Sequence, residues 1–213
     1  MNPPSDAGTV FIVDDDASFL RSLSRLLRAA GYAVQVFESA ETFLAQLGPE
    51  LSGCVVVDLQ MPGLDGLELQ AVLAASVNPL PVVFLSAEGD IPTTVQAMRH
   101  GAEDFLTKLA PKEQLLDAIR RALARAAQER QQREQRRELG ARFAALSPRE
   151  LEVLAHVVRG RLNKQIADDL GIHERTVKLH RTNLREKLRV HSVAELARMA
   201  DAAGIFKGDR RAE

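Results

Sequence analysis

The chain has 213 residues, long for one ordinary domain and comfortable for two. Its 46% apolar and 27% charged residues argue against disorder, no apolar run approaches the ~20 residues of a membrane span, and the lone Cys54 excludes an internal disulfide framework. A net charge of −1 hides an asymmetry: residues 1–120 carry 16 acids and 7 bases, whereas residues 121–213 carry 13 acids and 21 bases, so two tasks are indicated and nucleic acid is a natural partner for the basic part.

Met1 to Asp6 is short and polar, unlike a signal peptide, which makes the cytoplasm the expected location. From there strand and helix signals alternate. Val10 to Val13 is a short apolar run. Residues 17–30 carry Phe19, Leu20, Leu23, Leu26 and Leu27 at helical spacing and close at Gly31. Ala33 to Phe37 reads as a strand, Ser39 to Leu47 as a helix, Cys54 to Asp58 as a strand and Leu67 to Ala75 as a helix. Pro81 to Ser86 is a strand, Thr93 to His100 a helix, and Glu103 to Lys108 a fifth strand, with another helix starting near Pro111. Strands that are continuously apolar and alternate with helices predict a doubly wound α/β domain, a five-stranded parallel sheet covered on both faces, over residues 1–120.

Residues 121–143 contain strong helix formers and a thin apolar stripe, which suits a helical linker; a flexible linker is the alternative. Residues 144–213 read as all-α with four helices. Ser147-Pro148-Arg149-Glu150 is a capping box with proline at the first helical position. Asn163 is expected to cap a short helix through Leu170, a third helix runs from about Glu174 to Leu188, and Ser192 to Glu195 opens a fourth. Two helices around the Gly171 turn suggest a helix-turn-helix unit. The five histidines are scattered and suggest no metal site.

In open α/β sheets the functional site lies at the carboxyl ends of the strands. Asp14, Asp15 and Asp16 follow the first strand; Asp58, Ser86 and Lys108 end the third, fourth and fifth. Crowded carboxylates repel one another unless a cation joins them, and hard oxygen donors favour Mg²⁺. A carboxylate can also be the nucleophile in phosphoryl transfer, with a metal and a lysine neutralising charge on the transferring oxygens.

These segments, Phe11-Ile12-Val13-Asp14-Asp15-Asp16, Val57-Asp58 through Gly66, Leu85-Ser86-Ala87 and Gly101 through Lys108, resemble in order and spacing the signatures of response-regulator receivers, which have a flavodoxin-like fold. The resemblance implies Asp58 as phosphoacceptor, and Asp14, Asp15, Asp58 and the backbone carbonyl of Gln60 as Mg²⁺ ligands. It implies Ser86 and Lys108 as groups that hold the phosphoryl oxygens, and Ser86 and Phe105 as the switch pair. Asp16 matches no ligand position and is read as the start of the first helix. One departure concerns Lys108-Leu109, where receivers usually have Lys-Pro with a cis bond. A cis bond before leucine costs ~2.5–4 kcal/mol, so a trans bond is expected, and with it a Lys108 less well held near Asp58.

Gly160 through Ala167, followed by Leu170 through His180, resembles the LuxR-type helix-turn-helix of the FixJ/NarL family. Spacing puts Val177, Leu184 and Leu188 on an apolar side and Arg175, Lys178, Thr182 and Arg185 toward another, which can enter a major groove. The resemblance implies base contacts from Lys178, Leu179 and Thr182, with Lys164, Arg175 and Arg181 nearer phosphates and Arg185 on the same polar side. His173 stands where the family often has a Ser-like cap, so a looser entry to the recognition helix is expected. The function implied is a phosphorylation-switched, DNA-binding transcription regulator of a two-component system. Its implied partners are a sensor histidine kinase, double-stranded DNA, RNA polymerase and, on phosphorylation, a second copy of the chain, with no membrane. No turnover of a separate substrate is expected. An aspartyl-phosphate phosphotransfer enzyme would show turnover of a small phosphoester. A constitutive DNA binder would be indifferent to phosphorylation.

Overall fold

The computed structural model describes residues 8–48, 51–87 and 90–203. Residues 1–7, the short polar start, and 204–213, the expected end of the second domain, lie outside the described residues. The elements in order are β1 (Thr9–Val13), α1 (Ala17–Ala29), β2 (Ala33–Phe37), α2 (Ala40–Leu44), β3 (Gly53–Val57), α3 (Gly66–Ala75), β4 (Val82–Ser86), α4 (Ile91–Arg99), β5 (Asp104–Thr107), α5 (Lys112–Ala144), α6 (Pro148–Val158), α7 (Asn163–Leu170), α8 (Glu174–Leu188) and α9 (Val193–Ala202). They form two compact units that divide in sequence between Gln131 and Gln132, within α5.

In the first unit five parallel strands run in the order β2-β1-β3-β4-β5. Strands β3 and β4 are buried along their whole length, as a sheet covered on both faces requires. Alternate side chains feed two cores. Phe11, Val13, Val55, Val57 and Phe84 meet Phe43, Leu69 and Leu73 on one face, and Val10, Ile12, Val56, Val83 and Leu85 meet Leu20, Leu27, Ile119 and Leu123 on the other. Cys54 lies in the second core with no exposure, and burial, aided by the nearby charge of Glu103, pushes its thiol up to about 12.

Capping side chains set the helix starts. Asp16 accepts from the Ser18 and Phe19 N–H groups, which bears out its reading as a helix start. Helix α4 begins at Ile91, earlier than the expected Thr93, because Asp90 accepts from the Thr93 N–H at 2.7 Å and Pro92 needs no donor partner there. Helix α2 stops at Leu44, short of the expected Leu47. Helix α5 runs unbroken for 33 residues, so the segment after residue 120 is helical rather than a flexible linker. An Arg125–Glu129 pair at 2.9 Å supports it.

In the second unit α6 to α9 surround Val153, Leu154, Val157, Ile166, Val177, Leu184, Leu188 and Leu196. The Ser147–Glu150 capping box forms in full. At α9, Ser192 accepts from the Glu195 N–H, but the Glu195 carboxylate accepts from His191 N–H instead of closing the box. Asn163 is not the cap of α7. The cap position is Leu162, whose N–H donates to the Gln165 side chain at 2.9 Å, and the Asn163 side-chain oxygen is taken by Arg181.

Candidate functional site

The sheet order reverses between β1 and β3, so the loops that follow them splay apart and leave a crevice at their carboxyl ends. Val13 and Val57 are register partners, and the residues after them, Asp14 and Asp58, therefore lie side by side. Main-chain bonds fix both: the Asp14 N–H donates to Phe37 O at 3.1 Å and the Asp58 N–H to Val13 O at 2.9 Å. Asp14 is 1% exposed and Asp58 8%, while Asp15 is exposed, and one carboxylate oxygen from each lies within 4.8 Å of the others.

Lys108 reaches this cluster from the end of β5. Its ammonium stands 2.6 Å from Asp14 Oδ2 and 2.8 Å from Asp58 Oδ2, and 4.5 Å from the centre of the Phe19 ring. Its main chain is pinned as well, since the Lys108 N–H donates to Ser86 O at 2.8 Å. Burial works against charge on Lys108, but its hydrogen bonds to Asp14 and then Asp58 outweigh that and raise its pKa. Asp14 also rises above the ordinary carboxyl value: burial dominates, the Asp58 charge adds to it, and Lys108 and the Asp16 N–H only partly offset it.

The Lys108–Leu109 bond is trans, as expected, since no cis bond occurs among the described residues. The second half of that expectation fails. Lys108 is already seated between the two carboxylates, because the Ser86 carbonyl and the carboxylates position it without help from a proline. Leu109 simply points outward, 92% exposed. Ser86, 2% exposed, ends β4 beside Thr107, and Phe105 is half-buried with its ring 5.6 Å from that of Phe84. Gln60 lies exposed two residues past Asp58. Three converging carboxylates, two of them buried and one of those, Asp14, resisting ionisation, form a hard-oxygen donor set suited to a divalent cation. Sequence reasoning missed Phe19, whose ring lies beside Lys108; at helical spacing it reads as one more core residue.

The second unit carries the basic surface. Val177, Leu184 and Leu188 are fully buried, and Arg175, Lys178, Thr182 and Arg185 are exposed on α8, as the spacing predicted; Leu179 is exposed there too. Lys164 is exposed on α7. Several of these groups have partners within the unit. Lys178 lies 3.6 Å from Glu174, Arg185 donates to His191 O at 3.0 Å, and Arg181, half-buried, donates to Asn163 Oδ1 at 2.8 Å. His173 caps α8 without a side-chain hydrogen bond, as its imidazole suggested.

The family model of the response regulator receiver domain matches residues 10–120, and that of bacterial regulatory proteins of the luxR family matches residues 144–200. Response regulator protein TmoT of Ectopseudomonas mendocina is 44% identical over 192 residues, which are 90% of this chain and 87% of TmoT. Transcriptional regulatory protein FixJ of Azorhizobium caulinodans is 42% identical over 94% of this chain and 95% of its own length. The solved structure of response regulator StyR is 48% identical, with a TM-score of 0.83 over 91% of this chain and 98% of StyR. With an acidic crevice at the end of a parallel sheet and a basic helix-turn-helix unit after it, the chain belongs to the FixJ-type two-component response regulators, transcription regulators that join a receiver to a luxR-type DNA-binding domain.

Proposed function

We propose that Asp58 is the phosphoacceptor of this regulator and that its phosphorylation controls DNA binding by α8. The observation that supports this most is the Lys108 ammonium seated between Asp14 and Asp58. An Asp58 oxygen attacks the phosphorus of a phosphohistidine on a sensor kinase; the P–N bond breaks, the O–P bond forms, and the leaving imidazole takes a proton. Asp14, Asp15, Asp58 and the Gln60 carbonyl would hold Mg²⁺, which would neutralise negative charge on the transferring oxygens. Lys108 and the Ser86 hydroxyl receive two of those oxygens, and Phe105 responds as Ser86 moves. The receiver comprises residues 1–120, the linker 121–143 and the DNA-binding domain 144–213. Lys178, Leu179 and Thr182 read bases, Lys164, Arg175 and Arg181 lie nearer phosphates, and Arg185 faces DNA on the same polar side. Arg181 and Arg185 would first exchange their present partners, Asn163 and the His191 carbonyl. The regulator acts in the cytoplasm as a phosphorylation-dependent dimer, with RNA polymerase as a further partner.

The test is labelling by a small-molecule phosphodonor. Wild-type protein takes up label only with Mg²⁺, and Asp58→Asn, which keeps the shape and removes the nucleophile, takes up none. Label on Asp14 or Asp15 of that variant at the wild-type rate would overturn the assignment.

A further inference from the structure

Helix α8 ends differently from its neighbours. Four helices leave through glycine at positive φ: Gly31 after α1 (91°), Gly101 after α4 (88°), Gly160 after α6 (77°) and Gly171 after α7 (63°). Helix α8 leaves through Arg189 at φ 53° and ψ 46°, the one non-glycine residue with positive φ among those described. At Gly101, Gly160 and Gly171 an added Cβ would meet nothing within 4 Å, so backbone conformation alone calls for glycine there. The same conformation in an L residue is strained by its Cβ against the following carbonyl. The turn itself gives no reason for arginine. Main-chain bonds close it, from Arg189 N–H to Glu186 O at 3.2 Å and from Val190 N–H to Arg185 O at 3.0 Å, with Val190 buried beneath. The Arg189 side chain is exposed, and no ion pair or side-chain hydrogen bond engages it among the described residues.

Its position supplies a reason. At ~100° per residue, Lys178, Thr182 and Arg185 share one exposed face of α8, and the exposed Arg189, the residue that ends the helix, comes four residues after Arg185. Arg189 lies ~16 Å along the axis from Lys178, beyond the ~12 Å width of a major groove, so when the start of the helix reads bases its end stands over a phosphate strand. We propose that Arg189 is a sequence-independent phosphate contact at the far end of the DNA-reading face, kept for its charge at a position where the backbone favours glycine. This rests on the reading of α8 as the recognition helix.

Binding of full-length protein to a random-sequence DNA duplex, with beryllofluoride and Mg²⁺ present and salt varied, tests it alongside thermal melting. Arg189→Gly and Arg189→Asn both tolerate the left-handed conformation and lack the charge; Arg189→Lys keeps the charge and the strain. The expected result is a log–log salt slope lowered by about 1 in the Gly and Asn variants and unchanged in the Lys variant. The melting temperature of the second unit rises by a few degrees with Gly and stays level with Lys. Wild-type slopes in both the Gly and Asn variants overturn the role of Arg189 alone. A wild-type protein whose binding shows no salt dependence overturns the reading of α8 and this inference with it.

Discussion

Glu150 is a carboxylate 3% exposed inside the second unit, and it stays charged there because Lys187 lies 2.7 Å away and the Ser147 N–H donates to it at 2.8 Å. Burial opposes the charge, but Lys187 and then Ser147 outweigh it and lower its pKa to about 2, from a usual 4.5. A folded value below the unfolded one means that its contribution is complete above pH 4.5 and disappears as pH falls through 2. After screening at the half-exposed Lys187, that contribution is about 2 kcal/mol. Glu150→Gln should therefore lower the stability of the second unit by about that amount at pH 7 and flatten its acid unfolding, as chemical denaturation at several pH values would show. Equal acid sensitivity in both proteins would remove this role. The sequence showed Glu150 only as half of a capping box. Its ion pair joins residues far apart in the chain, and no local pattern announces such a pair. For the same reason the carboxylates and Lys108 were legible as strand ends, while the docking of Lys108 was not, and its consequence was misjudged from the missing proline.

The elements themselves were largely legible, because β3 and the core of β4 are continuous apolar runs and α1, α2, α3, α4, α6 and α9 each start at a capping Asp or Ser side chain. Errors fell at helix ends and caps, such as the start of α4 and the cap of α7, where one side-chain hydrogen bond decides the residue. The joint between β3 and α3 is the element on which the site depends most. Gly66 opens α3 with its N–H on Leu59 O at 3.0 Å, and a Cβ there would collide with the carbonyl oxygen of Asp58 and press on the Phe84 ring. Gly66→Ala must therefore move α3 or the end of β3. The expected cost is about 1–3 kcal/mol of receiver stability and a phosphorylation rate reduced at least tenfold, because the Asp58 carboxylate leaves Lys108. Stopped-flow phosphorylation and a denaturant melt of the same variant measure both. Wild-type values in both would show that the loop relaxes at no cost.

Across the whole molecule the charge is divided as the domains are, acidic in the receiver and basic in the part that carries the luxR-type DNA-binding domain. Phosphorylation at the proposed Asp58 would add about −1.5 to −2 to the acidic part, so simple attraction for DNA would not grow with it, and a switch would call for a change of assembly instead. A dimer formed through the region of Thr93 to Lys108 on phosphorylation would pair two copies of α8 for two half-sites. Sedimentation should show the mass doubling when beryllofluoride and Mg²⁺ are added at tens of micromolar, a typical working range. An unchanged monomer would count against the dimer. Cys54 offers an independent view of the same molecule. Its thiol is sealed in the core and held protonated up to about 12, so a maleimide or disulfide reagent at neutral pH finds nothing to attack while the receiver stays closed. The chain thus comes with a built-in clock: the rate at which its single thiol is alkylated reports how often the sheet opens, and any cysteine placed on the surface can be tagged without competition.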